Sequence, residues 1–248
     1  MASGGPLSAT CSSTIPVQPA RTDERRRRRK PNTVSGLEEL GRVRLSGNFF
    51  FRDFLFSEIA IMYGLRNVPD DPDLAIAAGK RLCEELLEPI QTTFGRIGIR
   101  SAYRSCVVNE FGNRFGLSCA SNERNYARHI WDRRARDGSM GAMACVVVPW
   151  LVDHVANGGD WREMAWWIHR RLPYSELQFF PKLFAFNIAW SEKPRKRIYS
   201  FVEPRGLLTK PGMPGHDGDH SPKYKGFPDL VAGPPPLADA RGAGRRGR

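Results

Sequence analysis

The chemically capable residues of this 248-residue chain stand singly, outside any of the short motifs that announce a reaction. The sequence holds no His-Glu-x-x-His pair, no Gly-rich phosphate loop and no Gly-x-Ser-x-Gly turn. Its five cysteines are Cys11, Cys83, Cys106, Cys119 and Cys145. An odd count without a Cys-x-x-Cys pair argues against a secreted disulfide framework and against a zinc ribbon. Cys106 and Cys119 flank a short polar loop, where they could meet or remain ordinary thiols. Arg25 to Lys30 form a block of six consecutive cations. Such a block attracts polyanions in a salt-dependent way, or else stays a solvated run.

The elements that must position these residues are confined to the middle of the chain. Of the net charge of +12, residues 1–36 carry +5 (seven Lys/Arg against two Asp/Glu) and residues 205–248 carry +4 (eight against four). Both ends are poor in large apolar side chains and rich in Pro, Gly, Ser and Arg, a composition that cannot offset chain entropy by burial. The expectation is therefore a disordered basic segment over 1–46, a folded domain over 47–202, and a disordered Pro/Gly-rich basic tail over 203–248. Five of the six Trp lie between Trp131 and Trp167, which puts the core inside that domain. No stretch reaches the ~18 apolar residues of a membrane span. The Arg block is followed by polar Pro31-Asn32-Thr33-Val34-Ser35 and not by an apolar export signal. A cytoplasmic chain with no membrane span is the expectation.

Periodicity fills in the domain. Leu74, Ala77, Ala78, Leu82, Leu86 and Ile90 recur at three- and four-residue steps, which predicts a helix over 73–94 with Asp71 or Asp73 at its cap, bent or ended by Pro89 near Glu88. Residues 96–103 alternate as a half-buried strand, and 104–111 read as a short helix followed by a polar loop over 112–125. A buried strand over 143–148 ends at Pro149. Asp160 caps a helix over 161–171, and three short strands follow over 176–180, 184–190 and 197–201. This is an α+β layout: a small, largely antiparallel sheet with helices packed on one face.

In that order, four pieces resemble a known family. Leu86-Leu87-Glu88-Pro89-Ile90 and Ile99-Arg100-Ser101-Ala102-Tyr103-Arg104-Ser105 look like the helix and the "S-G-Y-R-S" strand end of the zinc D-alanyl-D-alanine carboxypeptidases, the Hedgehog/DD-peptidase fold. Met164-Ala165-Trp166-Trp167-Ile168 and Leu172-Pro173-Tyr174 resemble that family's last helix and "L-P-(F/Y)-D" turn. Together they span residues 48–190.

The resemblance implies a zinc ion on three protein ligands, a carboxylate base, and a peptidoglycan peptide as substrate. It places Tyr103, Arg104 and Ser105 at the substrate, with Arg104 steadying a developing oxyanion. If Gly141-Ala142-Met143-Ala144-Cys145 is the family's "G-x-A-x-D" segment, Cys145 takes the aspartate position and Gly138 the histidine position. His129 is the nearby histidine, so the implied zinc ligands are His129 and Cys145 with Asp132 or Asp137; a thiolate suits zinc. The family's glutamate falls on Phe180, and Glu176, four residues earlier on the same strand face, is the substitute base. The third-ligand histidine would fall within 186–191, which holds Asn187 and Ser191 instead. Two readings follow: a zinc peptidase acting on cell-wall peptide, reaching the wall by a phage-type release, or a catalytically inactive member that binds or builds. A third takes the basic tails as a nucleic-acid arm.

Overall fold

The computed structural model describes residues 27–236. In chain order the helices and strands are α1 (Val34–Gly41), α2 (Glu58–Met62), α3 (Pro72–Leu82), α4 (Glu88–Phe94), β1 (Gly98–Ser101), α5 (Cys106–Arg114), α6 (Asn122–Asn125) and β2 (Gly141–Val147). There follow α7 (Pro149–Ala156), α8 (Trp161–Arg171), β3 (Glu176–Phe179), β4 (Phe186–Ser191), β5 (Arg197–Ser200) and β6 (Gly206–Thr209). The six strands form one sheet in the order β1-β2-β4-β3-β5-β6. Every neighbouring pair is antiparallel except β3 with β5. The fold is therefore α+β with a mostly antiparallel sheet, as the alternation implied.

The side-chain period of two divides the strands between two environments. Ala142, Ala144 and Val146 of β2 point into the helical core, as do Phe186, Ile188 and Trp190 of β4 and Leu177 and Phe179 of β3. Cross-strand register keeps them together, with Ala144 opposite Ile188 and Leu177 opposite Ile188 from the other side. Trp131, Trp167, Tyr174 and Phe51 are among the largest side chains buried in this core. Burying a side chain of that kind contributes roughly 1.5–3 kcal/mol.

The long helix expected over 73–94 is present but not uniform. Asp71 caps it by accepting from the Leu74 N–H, and Pro72 occupies its first turn. Instead of a sharp bend at Pro89, residues Cys83–Leu87 widen into a π-helical turn between α3 and α4. A proline removes one N–H from the ladder and crowds the preceding turn, and the wider turn accommodates both without ending the helix. The strand expected to end at Pro149 does end there, at Val147, and the proline also opens α7 at its first turn, a helix the sequence had not suggested.

The folded region also extends past both expected boundaries, 47 and 202. On the N-terminal side, α1 is capped by Thr33, and Leu40 and Leu45 are buried. Arg27, Arg28 and Lys30 reach Asp71, Asp73 and Asp70 at 2.6, 2.7 and 2.6 Å. On the C-terminal side, β6 adds an edge strand to β5. Beyond it, Tyr224 is buried, Phe227 packs against Trp150 and Phe94, and the Trp167 indole donates to the Pro228 carbonyl at 2.9 Å. A Cβ on Gly47 would lie 2.3 Å from Pro234, so glycine lets the two segments touch. These stretches fold because a few apolar anchors are enough when a formed core lies beside them, which average composition does not reveal. Cys11 and the rest of the expected tails, 1–26 and 237–248, lie outside the described residues.

Candidate functional site

The other face of the sheet is polar at its centre. One cross-strand row runs Cys145, Asn187, Gln178, Tyr199 and Leu207, and the next runs Met143, Ala189, Glu176 and Arg197. The centre of this face is closed by side chains arriving from residues 100–131, while Tyr199 and Leu207 at its far end are exposed.

Three of the expected site residues meet there. The Arg104 N–H donates to the His129 carbonyl at 2.8 Å, which lays the two residues side by side past the end of β1. Arg104 also donates from Nη1 to Cys119 Sγ at 2.7 Å. The His129 ring is buried, and its Nδ1 lies 2.7 Å from the Ala102 carbonyl. A carbonyl only accepts, so Nδ1 carries the proton; the ring also hydrogen-bonds the Asn187 side chain. Burial, seconded by the Arg104 guanidinium, holds the His129 pKa well below its usual range, so the ring is neutral. Cys145 lies under the same cations: burial pushes its thiol up, opposed by the nearby Arg100 and Arg104.

Glu176 is on the same face, 3% exposed, and its oxygens are engaged. Oε1 accepts from Arg128 Nη2 at 2.5 Å and from Gln178 Nε2 at 2.6 Å, while Oε2 pairs with Arg197 at 3.0 Å. A carboxylate so occupied serves as the anchor of an ion cluster and has no oxygen turned toward a water, as the expected base would need.

The remaining expected residues have other positions. Tyr103 is fully buried against Phe51 and Trp131, so it packs the core and does not line a substrate cleft. Burial raises its pKa, with the Asp132 carboxylate adding to the effect. Ser105 caps α5, accepting from Val108 N and donating to the Arg66 carbonyl. Asp132 accepts from the Asp70 N–H at 2.6 Å, and its pKa is raised by desolvation. Asp137 lies on an exposed turn, bonded to Ser139 and 3.5 Å from Lys193. Neither aspartate joins His129 and Cys145. Among the described residues no group of three His, Cys, Asp or Glu side chains is placed to hold a metal ion. Cys106 and Cys119, which could have met across their loop, are both free thiols.

Sequence reasoning gave no role to Arg128, Arg197 and Gln178, and met Asn187 only as a residue standing where a third-ligand histidine was expected. Strand alternation assigns the last three to the face of Glu176 and Cys145. Their partners depend on the parallel pairing of β3 with β5 and on an arginine 48 residues from Glu176, which no local pattern encodes. Comparison with known proteins finds no matching family model, no similar curated protein and no similar solved structure. Among the described residues no helix is long and apolar enough to cross a membrane.

Proposed function

We propose that this chain is a divergent Hedgehog/DD-peptidase-like domain that binds a cell-wall peptide on its polar sheet face without cleaving it. The observation carrying the reading is that Arg104, His129 and Cys145 gather on that face while Glu176 is held by two arginines. Arg104 and Arg100 supply the positive charge that a peptide carboxylate requires, and charge-assisted pairs of this kind are the stronger hydrogen bonds of a binding site. The neutral His129, held by the Ala102 carbonyl and the Asn187 side chain, positions the backbone carbonyl that the Arg104 N–H bonds.

The competing reading is the zinc peptidase, favoured by the placement of His129 and Cys145 beside Arg104. Its fit is poor: Cys145 lies under two guanidinium groups, and neither Asp132 nor Asp137 supplies a third ligand. Titration calorimetry of the full chain with a stem peptide ending in D-alanyl-D-alanine decides between them. The binding reading expects heat of association, a roughly tenfold or greater loss of affinity in Arg104→Ala, and an intact peptide afterwards. A released terminal residue, with one zinc per chain that disappears in His129→Ala, would overturn it in favour of the peptidase.

A further inference from the structure

The part of the polar face nearest β5 carries a second arrangement, joined to His129 through Gln178 and Asn187. The guanidinium groups of Arg128 and Arg197 meet on the single carboxylate of Glu176, and Arg195 lines the same small cavity as Arg128 and Glu176. Arg128 and Arg197 bind its two oxygens. Arg195 shares that cavity with Arg128, and after desolvation, which dominates and is offset by Glu176, the positive fields of Arg197 and Arg195 depress the Arg128 pKa further. The cluster therefore keeps an excess of two positive charges. The Nε atoms of Arg128 and Arg197 are buried and without a hydrogen-bond partner. Arg195 uses its backbone N–H to bond Ser175, and among the described residues its guanidinium forms no ion pair. An uncompensated cationic group with idle donors is costly to keep and fits an arriving anion.

Two residues along the same strand face from Arg197 stands Tyr199, 37% exposed, and two further on is Phe201, 43% exposed. Their rings lie 5.0 Å apart, edge to face, and Phe201 also stacks on Phe180 at 5.2 Å and 5°. An exposed aromatic pair that starts two residues along the strand from an anion-seeking cluster matches the two chemistries of a nucleotide: a phosphate and a planar base.

The cation run that first suggested polyanion binding is partly neutralised elsewhere. Arg27, Arg28 and Lys30 are engaged by Asp71, Asp73 and Asp70, which moves the case for a nucleic acid from the tail to the sheet. We infer that the β5 half of the polar face binds single-stranded nucleic acid, with phosphates on Arg128, Arg195 and Arg197 and bases stacked on Tyr199 and Phe201. Single strands fit because their bases can be splayed onto side chains, whereas a duplex hides them.

The test is fluorescence anisotropy of the full chain with labelled single-stranded 12-mers of oligo-dT and oligo-rU, over a salt series. Two full-length variants accompany it, Arg195→Ala and Tyr199→Ala/Phe201→Ala. Neither removes an ion pair, and both should keep the wild-type circular dichroism and melting temperature. The expected result is binding that Tyr199→Ala/Phe201→Ala weakens by tenfold or more. Arg195→Ala should lower the slope of log affinity against log salt by about 0.7, the loss of one phosphate contact on a single strand. Undiminished binding in both variants would assign the affinity to residues outside this face and overturn the inference. So would equal affinity for a duplex, or no binding at low salt.

Discussion

The two faces of the sheet are built from the same strands and differ in what they can tolerate. On the helical face Ala142, Ala144, Ile188, Leu177 and Phe179 interlock with the helices, and each is buried. On the polar face Cys145, Asn187, Gln178 and Glu176 are covered only by reaching side chains such as Arg104, Arg128 and His129. The first face is held by area and shape, which any well-packed apolar set supplies. The second is held by a few directed pairs, each of which leaves a buried charge if one partner goes. That difference separates what maintains the fold from what is available to a ligand.

The largest effects should come from the helical face. Trp167→Ala removes a buried indole that also bonds the C-terminal segment, and should cost about 3–5 kcal/mol in urea denaturation. A cost near that of an exposed site would show that α8 is not packed as described. On the polar face, Glu176→Gln keeps the volume and removes the charge between Arg128 and Arg197. A loss of about 3 kcal/mol is expected, because two guanidinium groups then face each other without a counter-charge. An unchanged midpoint would mean that the cluster is open to water and contributes nothing.

Acid should sharpen the contrast. His129, His169 and His220 all have pKa values lowered by burial, so the unfolded chain takes up protons before the folded one does. Their contribution to stability is complete above about pH 6.5 and falls as pH drops below it, by at most about 1.4 kcal/mol per pH unit for each histidine. Melting temperature measured from pH 8 to pH 5 should decline in that lower window, less steeply in His129→Gln. Asp70 and Asp73, held low by their cationic partners, lose their contribution only as pH falls below the ordinary carboxylate range. A flat profile between pH 6.5 and 5 would remove the buried neutral histidines from the account. The smallest effect is expected at the N-terminal segment, where Arg28→Ala breaks an exposed pair with Asp73 and should change stability by about 0.5 kcal/mol or less.

Much of the helical face was legible in the sequence, and little of the polar one was. The caps at Asp71 and Asp160, the helix ending at Arg171 and the strand beginning at Glu176 follow from local rules and appear in the structure at those residues. Apolar periodicity works because burial repeats along an element. The polar face depends on contacts between distant segments, such as Arg128 with Glu176 and His129 with Ala102. The C-terminal boundary was missed for a related reason. His216 and His220 are buried beside His169 in a segment whose Pro and Gly content resembles that of a loose tail. Two histidines docking on His169 of α8 outweigh that composition, and no short-range pattern announces it.

The central claim is that the polar face is a binding surface assembled around Arg104, His129 and Cys145, and that it works without hydrolysis. Amide NMR of the full chain, titrated with a D-alanyl-D-alanine stem peptide, tests it most directly. The account predicts shifts centred on Arg104, His129, Cys145 and Asn187, with the peptide recovered intact. Shifts confined to the helices, or a peptide shortened by one residue, would contradict it.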